Sequence, residues 1–390
     1  MTIGPLWQRI PQIETFPDIA RFSETYGFAG NTGNVNLEGQ LFRPATASRT
    51  LYLFMHPSST LNLLPMPAAL ADAGLHVLCA ASRYPKNDSA LIMEKVAIDL
   101  GQWIAHARGV LGYESIVLVG WSGGGSLLLF YQAQAEHPTI THTPAGDEVD
   151  LIRAKLPRAD AIVFIAAHLS RAETLTEWLD PSVTDEQNPD RRDREFDIFG
   201  PDCPHQPPFA KEFIARFRER QRQRNRRIAS WCRAHLERMR QDGGPERERA
   251  FVVHRTMCDV RWIDPAVDPN GRRPNWCYLG DPRTANVGPS GLARFSTLRS
   301  WLSQWSYDDS NAKGPANAAR VRETPVLQIE NGADDAVPAT HNPAIHEALA
   351  TPDKEYIRID GATHYYVGQP DKLAACIGHV TDWSRRKQLL

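Results

Sequence analysis

Short, wholly apolar runs recur along the chain and alternate with stretches of helical period. The strand-like runs are Leu51–Met55 (LYLFM), His76–Ala81 (HVLCAA), Ile116–Val119, Ala159–Ala167 (ADAIVFIAA), Pro325–Ile329 (PVLQI) and Glu355–Ile359 (EYIRI). Such runs, without polar alternation, suit strands buried on both faces. Between them, Leu61–Ala73 is a helix candidate closed by Gly74, and Leu91–Arg108 sets Ile92, Val96, Leu100, Trp103, Ile104 and Ala107 on one helix face. Ser126–Tyr131 suits the first turns of a buried helix, and Lys372–Lys387 forms a closing one. This rhythm predicts an α/β protein: a mostly parallel, doubly wound sheet with helices on both faces.

Two regions break the rhythm. At the N-terminus, Trp7, Ile10, Ile13, Phe16 and Phe22 recur at loose helical spacing interrupted by Pro11 and Pro17. Residues 1–27 therefore read as an arm laid over the body and a candidate oligomer contact, and Gly27–Arg43 as an antiparallel hairpin. From Leu169 to Arg322 no βα alternation is visible. This domain-sized stretch of about 150 residues holds a long helix candidate, Lys211–Gln241, and a second, Leu292–Tyr307, with Phe295, Leu298, Trp301, Leu302 and Trp305 on one face. The expected division is 1–27 as arm, 28–168 with 323–390 as core domain, and 169–322 as a large, mainly helical insertion.

Ser115–Tyr131 organises the rest. Its buried strand runs into Gly120-Trp121-Ser122-Gly123-Gly124, which matches G-x-S-x-G and is followed by a helix. Strand, tight glycine-flanked turn and helix form the context of a nucleophile elbow. The serine occupies the strained tip, Gly120 and Gly124 let strand and helix backbones pass closely, and Gly123 N–H faces the helix N-terminus as an oxyanion donor.

Over residues 28–170 and 320–390, the chain resembles the α/β-hydrolase superfamily. The resemblance implies a triad in the chain order Ser, Asp or Glu, His. It assigns Ser122 as nucleophile and His364, just past the last strand, as base. The acid falls on the loop after Pro325–Ile329, three residues past Gly332 and shortly before Val337-Pro338, which selects Asp335 over its neighbour Asp334. The second oxyanion donor of the family lies two residues past a histidine that ends an earlier strand. Here that histidine is His56, and since Pro57 has no N–H to give, Ser58 N–H is the expected donor. His56 itself braces the loop without transferring protons. The insertion occupies the place of a family cap or lid, and His168, Trp121, Trp301 and Trp305 are candidate pocket-lining residues.

The expected activity is therefore serine-dependent hydrolysis of an ester or lactone bond in a largely apolar substrate, through an acyl-enzyme. The same triad also serves amide, thioester and carbon–carbon bond hydrolysis. A non-catalytic ligand or anion binder is the competing reading from another class.

Composition narrows the field further. A net charge of −2 over 390 residues gives no global bias toward nucleic acid or membrane surfaces. The centre of the long helix is basic (Arg216, Arg218, Arg220, Arg222, Arg224, Arg226 and Arg227), and its arginines are expected to pair with nearby acidic stretches. The six cysteines show no ligand spacing, so reduced thiols, no metal and no cofactor are expected. Met1–Arg21 lacks the order of a signal peptide, and no apolar run reaches bilayer length. A cytoplasmic protein acting on a small molecule is the resulting expectation, with neither nucleic acid nor membrane as partner.

Overall fold

The computed structural model describes residues 7–18 and 33–390. Eight strands form one sheet: β1 (Trp7–Pro17), β2 (Asn34–Pro44), β3 (Thr50–Met55), β4 (His76–Ala80), β5 (Ser115–Ser122), β6 (Ala161–Ala167), and then, after a short separate hairpin of β7 (Ala250–Val252) and β8 (Phe295–Thr297), β9 (Val326–Asn331) and β10 (Lys354–Ile359). Their order is β1-β2-β4-β3-β5-β6-β9-β10. β1 and β2 pair antiparallel with their neighbours, and all other pairings in this sheet are parallel.

Alternation within the central strands divides the core. Leu51, Leu53, Ile116 and Leu118 face the helices Met93–Gly109 and Gly124–Glu136, joining Val96, Leu100, Trp103, Leu127 and Phe130. Tyr52, Phe54, Val117 and Val119 face the other way, toward Leu70 of helix Pro65–Asp72 and Cys376, Val380 and Trp383 of helix Pro370–Arg386. Both faces are covered, which is why these strands read as continuous apolar runs.

The N-terminal segment corrects the sequence expectation. Trp7–Pro17 is an edge strand, in register with β2 from Trp7 opposite Pro44 to Pro17 opposite Asn34. Pro11 and Pro17 cannot sit inside a helix, whereas an edge strand tolerates a missing N–H on its open side. Burial confirms the two-residue period, with Phe16 covered and Ile13 68% exposed. The hairpin expected within Gly27–Arg43 is instead made between β1 and β2. Phe22 and Gly27–Thr32 lie outside the described residues.

Between β6 and β9 the chain builds separate apolar clusters. One joins Leu175 and Leu179 to Ile228, Cys232 and Leu236 of the long helix Lys211–Asp242, with Leu298, Trp301 and Trp305. A second gathers Phe196, Phe209, Phe213 and Phe217. The expected helix over Leu292–Tyr307 begins only at Leu298, because Phe295–Thr297 pairs with Ala250–Val252 and leaves Phe295 55% exposed. The long helix ends at Gly243 in the left-handed conformation, φ +61°.

All the arginines of the basic run reach carboxylates. Arg216 pairs with Glu195, Arg218 with Asp259, Arg220 with Asp193, Arg222 with Glu219, Arg224 and Arg227 with Glu186, and Arg226 with Asp308. Arg224 is 1% exposed and also donates to the carbonyls of Asp180, His254 and Arg255, so it fastens the helix to two loops.

Buried Glu94 ties this region to the sheet body. It accepts from Ser303 Oγ at 2.7 Å and Asn311 Nδ2 at 2.9 Å. Burial pushes its carboxyl above the ordinary range, against the effect of both donors.

Candidate active site

Ser122 closes β5 at φ +54° and is buried. A left-handed backbone at a residue with a side chain costs on the order of 1–3 kcal/mol and persists only where neighbours enforce it. The enforcement is visible here. The register against β6 shifts between Trp121 and Ser122, and His168 N donates to Ser122 O at 2.9 Å. A Cβ on Gly124 would lie 2.8 Å from Met55 O, and one on Gly120 would be 3.3 Å from the Gly124 carbonyl carbon. The expected close passage of strand and helix is therefore present.

His364 follows β10 and is 1% exposed. Its Nδ1 lies 2.9 Å from Asp334 Oδ2. A carboxylate only accepts, so this contact places the ring proton on Nδ1 and leaves Nε2 free as a base. The indole of Trp121, next to Ser122, lies 4.5 Å from the imidazole centroid to centroid, and its Nε1 donates to His364 O at 3.3 Å. Ser122 Oγ and His364 are not hydrogen-bonded in this structure, and such contacts commonly tighten only around substrate.

The carboxylate that meets His364 is Asp334 and not the expected Asp335. Ala336 N and Val337 N donate to Asp334 Oδ1 at 2.8 and 2.7 Å, which folds the side chain into its own turn and aims Oδ2 at His364. Asp335 is half-buried and makes no hydrogen bond to the imidazole; burial, then the charge of Asp334, pushes its carboxyl up. Asn331, which sequence reasoning passed over, clamps the two loops together. Its Nδ2 donates to Thr363 O at 2.8 Å, and its Oδ1 accepts from Tyr366 OH at 2.7 Å.

The expected second oxyanion donor is also displaced. Ser58 N donates to His56 Nδ1 at 3.2 Å, and Ser59 N donates to the same atom at 2.9 Å. His56 thus braces the loop as expected, but it consumes the Ser58 N–H in doing so. Burial first, then the charges of Arg171 and His364, hold His56 neutral, well below the usual imidazole range. With Nδ1 accepting, the single ring proton of this neutral imidazole sits on Nε2. That atom would be 2.6 Å from a Cβ on Gly123.

Arg171 reaches the same point. It follows Ser170, the N-cap of helix Arg171–Trp178, and Nη1 would be 3.1 Å from that same Cβ. The guanidinium is 5% exposed, and Nη2 donates to Asp88 Oδ2 at 2.8 Å and Gln304 Oε1 at 3.0 Å. Trp305 lies beneath the guanidinium, 4.4 Å from centroid to Cζ. Sequence reasoning missed this residue. The available signal was its place directly after β6, at the carboxyl end of the sheet where ligands collect.

His168 occupies that end too. Its Nδ1 is 3.0 Å from Thr174 Oγ1, and burial followed by the charges of His341, His364, Arg171 and His56 keeps it neutral. Trp305 therefore backs Arg171, whereas Trp301 packs into the cluster with Leu298 and Ile228 and is not brought to the site. A cavity of about 400 Å³ lies elsewhere, lined by Ile228, Trp231, Phe251 and Val253. Among the described residues, no group of three or more His, Cys, Asp or Glu could hold a metal ion, and no helix is long and apolar enough to cross a membrane.

Solved structures share this architecture. The chain is similar to DcsB in complex with its substrate analogue, at 15% identity over 97% of this chain and 99% of that one, with a TM-score of 0.52. It is also similar to the alpha/beta hydrolase GrgF from Penicillium sp. sh18, at 12% identity over 96% and 98% of the two chains, with a TM-score of 0.50. Likeness at this identity is one of fold. No protein-family model matches the sequence, and no curated protein matches it.

Proposed function

We propose, from the premise that the chain has the α/β-hydrolase fold, that it is a serine hydrolase cleaving an ester or lactone bond through an acyl-enzyme. The observation that carries this reading is the buried His364–Asp334 pair, 2.9 Å apart, held by Trp121 beside a serine at φ +54°.

The chemistry follows from those positions. Ser122 Oγ attacks the acyl carbon, the carbonyl π pair moves onto oxygen, and the serine proton passes to His364 Nε2. Asp334 holds the imidazole in the productive tautomer and stabilises its cation. Collapse of the tetrahedral species breaks the bond to the leaving group, which takes the proton from His364. Water then repeats the sequence on the acyl-enzyme.

On the substrate, the groups gathered near the elbow favour more polarity than the sequence alone implies. The imidazoles of His56 and His168 and the guanidinium of Arg171 gather at the elbow, and the Tyr278 hydroxyl feels the charge of Arg171. Burial pushes that hydroxyl up, and Arg171 opposes the shift. We therefore propose an ester whose acyl part carries hydrogen-bond acceptors next to the scissile carbonyl.

The test combines a fluorophosphonate probe with a panel of p-nitrophenyl esters, comparing aliphatic acyl groups of rising length with oxygen-bearing ones. Labelling and turnover that vanish in Ser122→Ala support the reading. A native protein that neither labels nor turns over any ester, or a Ser122→Ala variant that keeps both, overturns it.

A further inference from the structure

Acyl transfer at Ser122 requires at least two donors for the oxyanion, and the backbone provides only one in the expected place. Gly123 N–H sits at the mouth of helix Gly124–Glu136. In the family resemblance, the loop after β3 gives the other. Here Pro57 has no N–H, and those of Ser58 and Ser59 both point at His56 Nδ1.

We propose that side chains complete the oxyanion hole: His56 through Nε2–H and Arg171 through Nη1–H. This rests on the serine-hydrolase reading above and assigns two further catalytic residues to that site.

The geometry for each donor is independent. The two loop N–H groups that occupy Nδ1 dictate the tautomer of His56, so Nε2 carries a proton permanently and cannot act as the base. That N–H is aimed at the residue following the nucleophile, where a Cβ would come within 2.6 Å of it. Glycine at 123 is thus required by the histidine and not by the turn, since its φ of −61° is one that any residue adopts.

Arg171 arrives from the segment after β6 and comes within 3.1 Å of the same point. Its Nη2 is committed to Asp88 and Gln304, and its Nε is buried without a hydrogen-bond partner. Burying a guanidinium with idle donors is costly unless an acceptor arrives. An oxygen that becomes negative only as Ser122 attacks is such an acceptor. Asp88 already balances the resting charge, so the cation need not attract a permanent anion to be tolerated.

The decisive experiment measures kcat and KM separately for His56→Gln, Arg171→Gln and Arg171→Lys, on the ester best used by the wild type. It adds inhibition by an arylboronic acid, which forms a tetrahedral adduct on the serine. Each glutamine variant is expected to lose about 10²–10³-fold in kcat with KM held within about threefold, and boronate affinity should fall in parallel. Arg171→Lys, which keeps the charge and one donor, should recover part of the loss.

A merely structural role would instead lower the melting temperature and raise KM while kcat and boronate affinity held, and that result overturns the proposal. If His56→Gln fails to fold, the two Arg171 variants decide by the same criteria. Absence of Ser122-dependent turnover in the wild type would sink the hydrolase reading itself. Full turnover with all three variants active would sink only the side-chain oxyanion hole.

Discussion

Replacing Asp334 with asparagine should nearly abolish turnover while the same change at Asp335 should be almost silent. Asp334 Oδ2 lies 2.9 Å from His364 Nδ1, and both residues are buried. When the imidazole gains the proton of Ser122, the centres of the new charge pair stand about 4 Å apart, worth about 4 kcal/mol at an effective dielectric of 20. At 1.36 kcal/mol per tenfold, that is about a 10³-fold loss in kcat.

Asparagine does further harm. Its amide facing Nδ1 would move the ring proton to Nε2, where the base must be bare, so a loss toward 10⁴-fold is expected. Asp335 makes no hydrogen bond to the imidazole, and its neutralisation should change kcat by no more than about threefold. The assay is steady-state turnover of a p-nitrophenyl ester, with thermal melting to verify that both variants fold. A dead Asp335→Asn beside an active Asp334→Asn would refute the assignment and the turn geometry behind it.

Other consequences concern the scaffold. Gly124→Ala should be strongly destabilising, because its Cβ would stand 2.8 Å from a backbone oxygen that cannot move aside; thermal unfolding against wild type measures it. Asp99→Ala should cost about 3 kcal/mol in a denaturant titration, since it removes the carboxylate 2.7 Å from buried Arg83 Nη2 and leaves the guanidinium, among the described residues, only Asp18 as a partner. Burial alone would raise the Asp259 carboxyl, but Arg218 and Arg261 overcome it and hold it well below the carboxylate range. A depressed folded value means stability that is present above the unfolded pKa near 3.9 and lost as pH falls below it. Melting temperature should therefore drop on acidification below about pH 4, and Arg218→Met should flatten that slope; an unchanged slope would contradict the pairing.

The sequence alone determined the layered architecture, because runs such as Leu51–Met55 and Ile116–Val119 are apolar at every position and so demand cover on both faces. The elbow was legible for a related reason: a serine forced to φ +54° needs glycines where its neighbours pass, and Gly120 and Gly124 are fixed by sterics that a linear motif records. His364 was readable from its place after the last strand.

What the chain alone left undecided were contacts set by side-chain direction. Asp334 and Asp335 are adjacent, and only the capture of Asp334 Oδ1 by Ala336 N and Val337 N decides which carboxylate turns inward. Trp7–Pro17 looked helical until β2 offered it an edge to pair with. Ser58 N–H and Arg171 show the same limit most sharply. Whether a donor faces substrate or its own loop depends on neighbours brought together from β3, β6 and the elbow, and no spacing in the chain encodes that convergence. Tertiary structure decides it, because hydrogen bonds and buried charges act through space over a few ångströms while the residues that make them, such as Trp121 and His364, lie 243 positions apart.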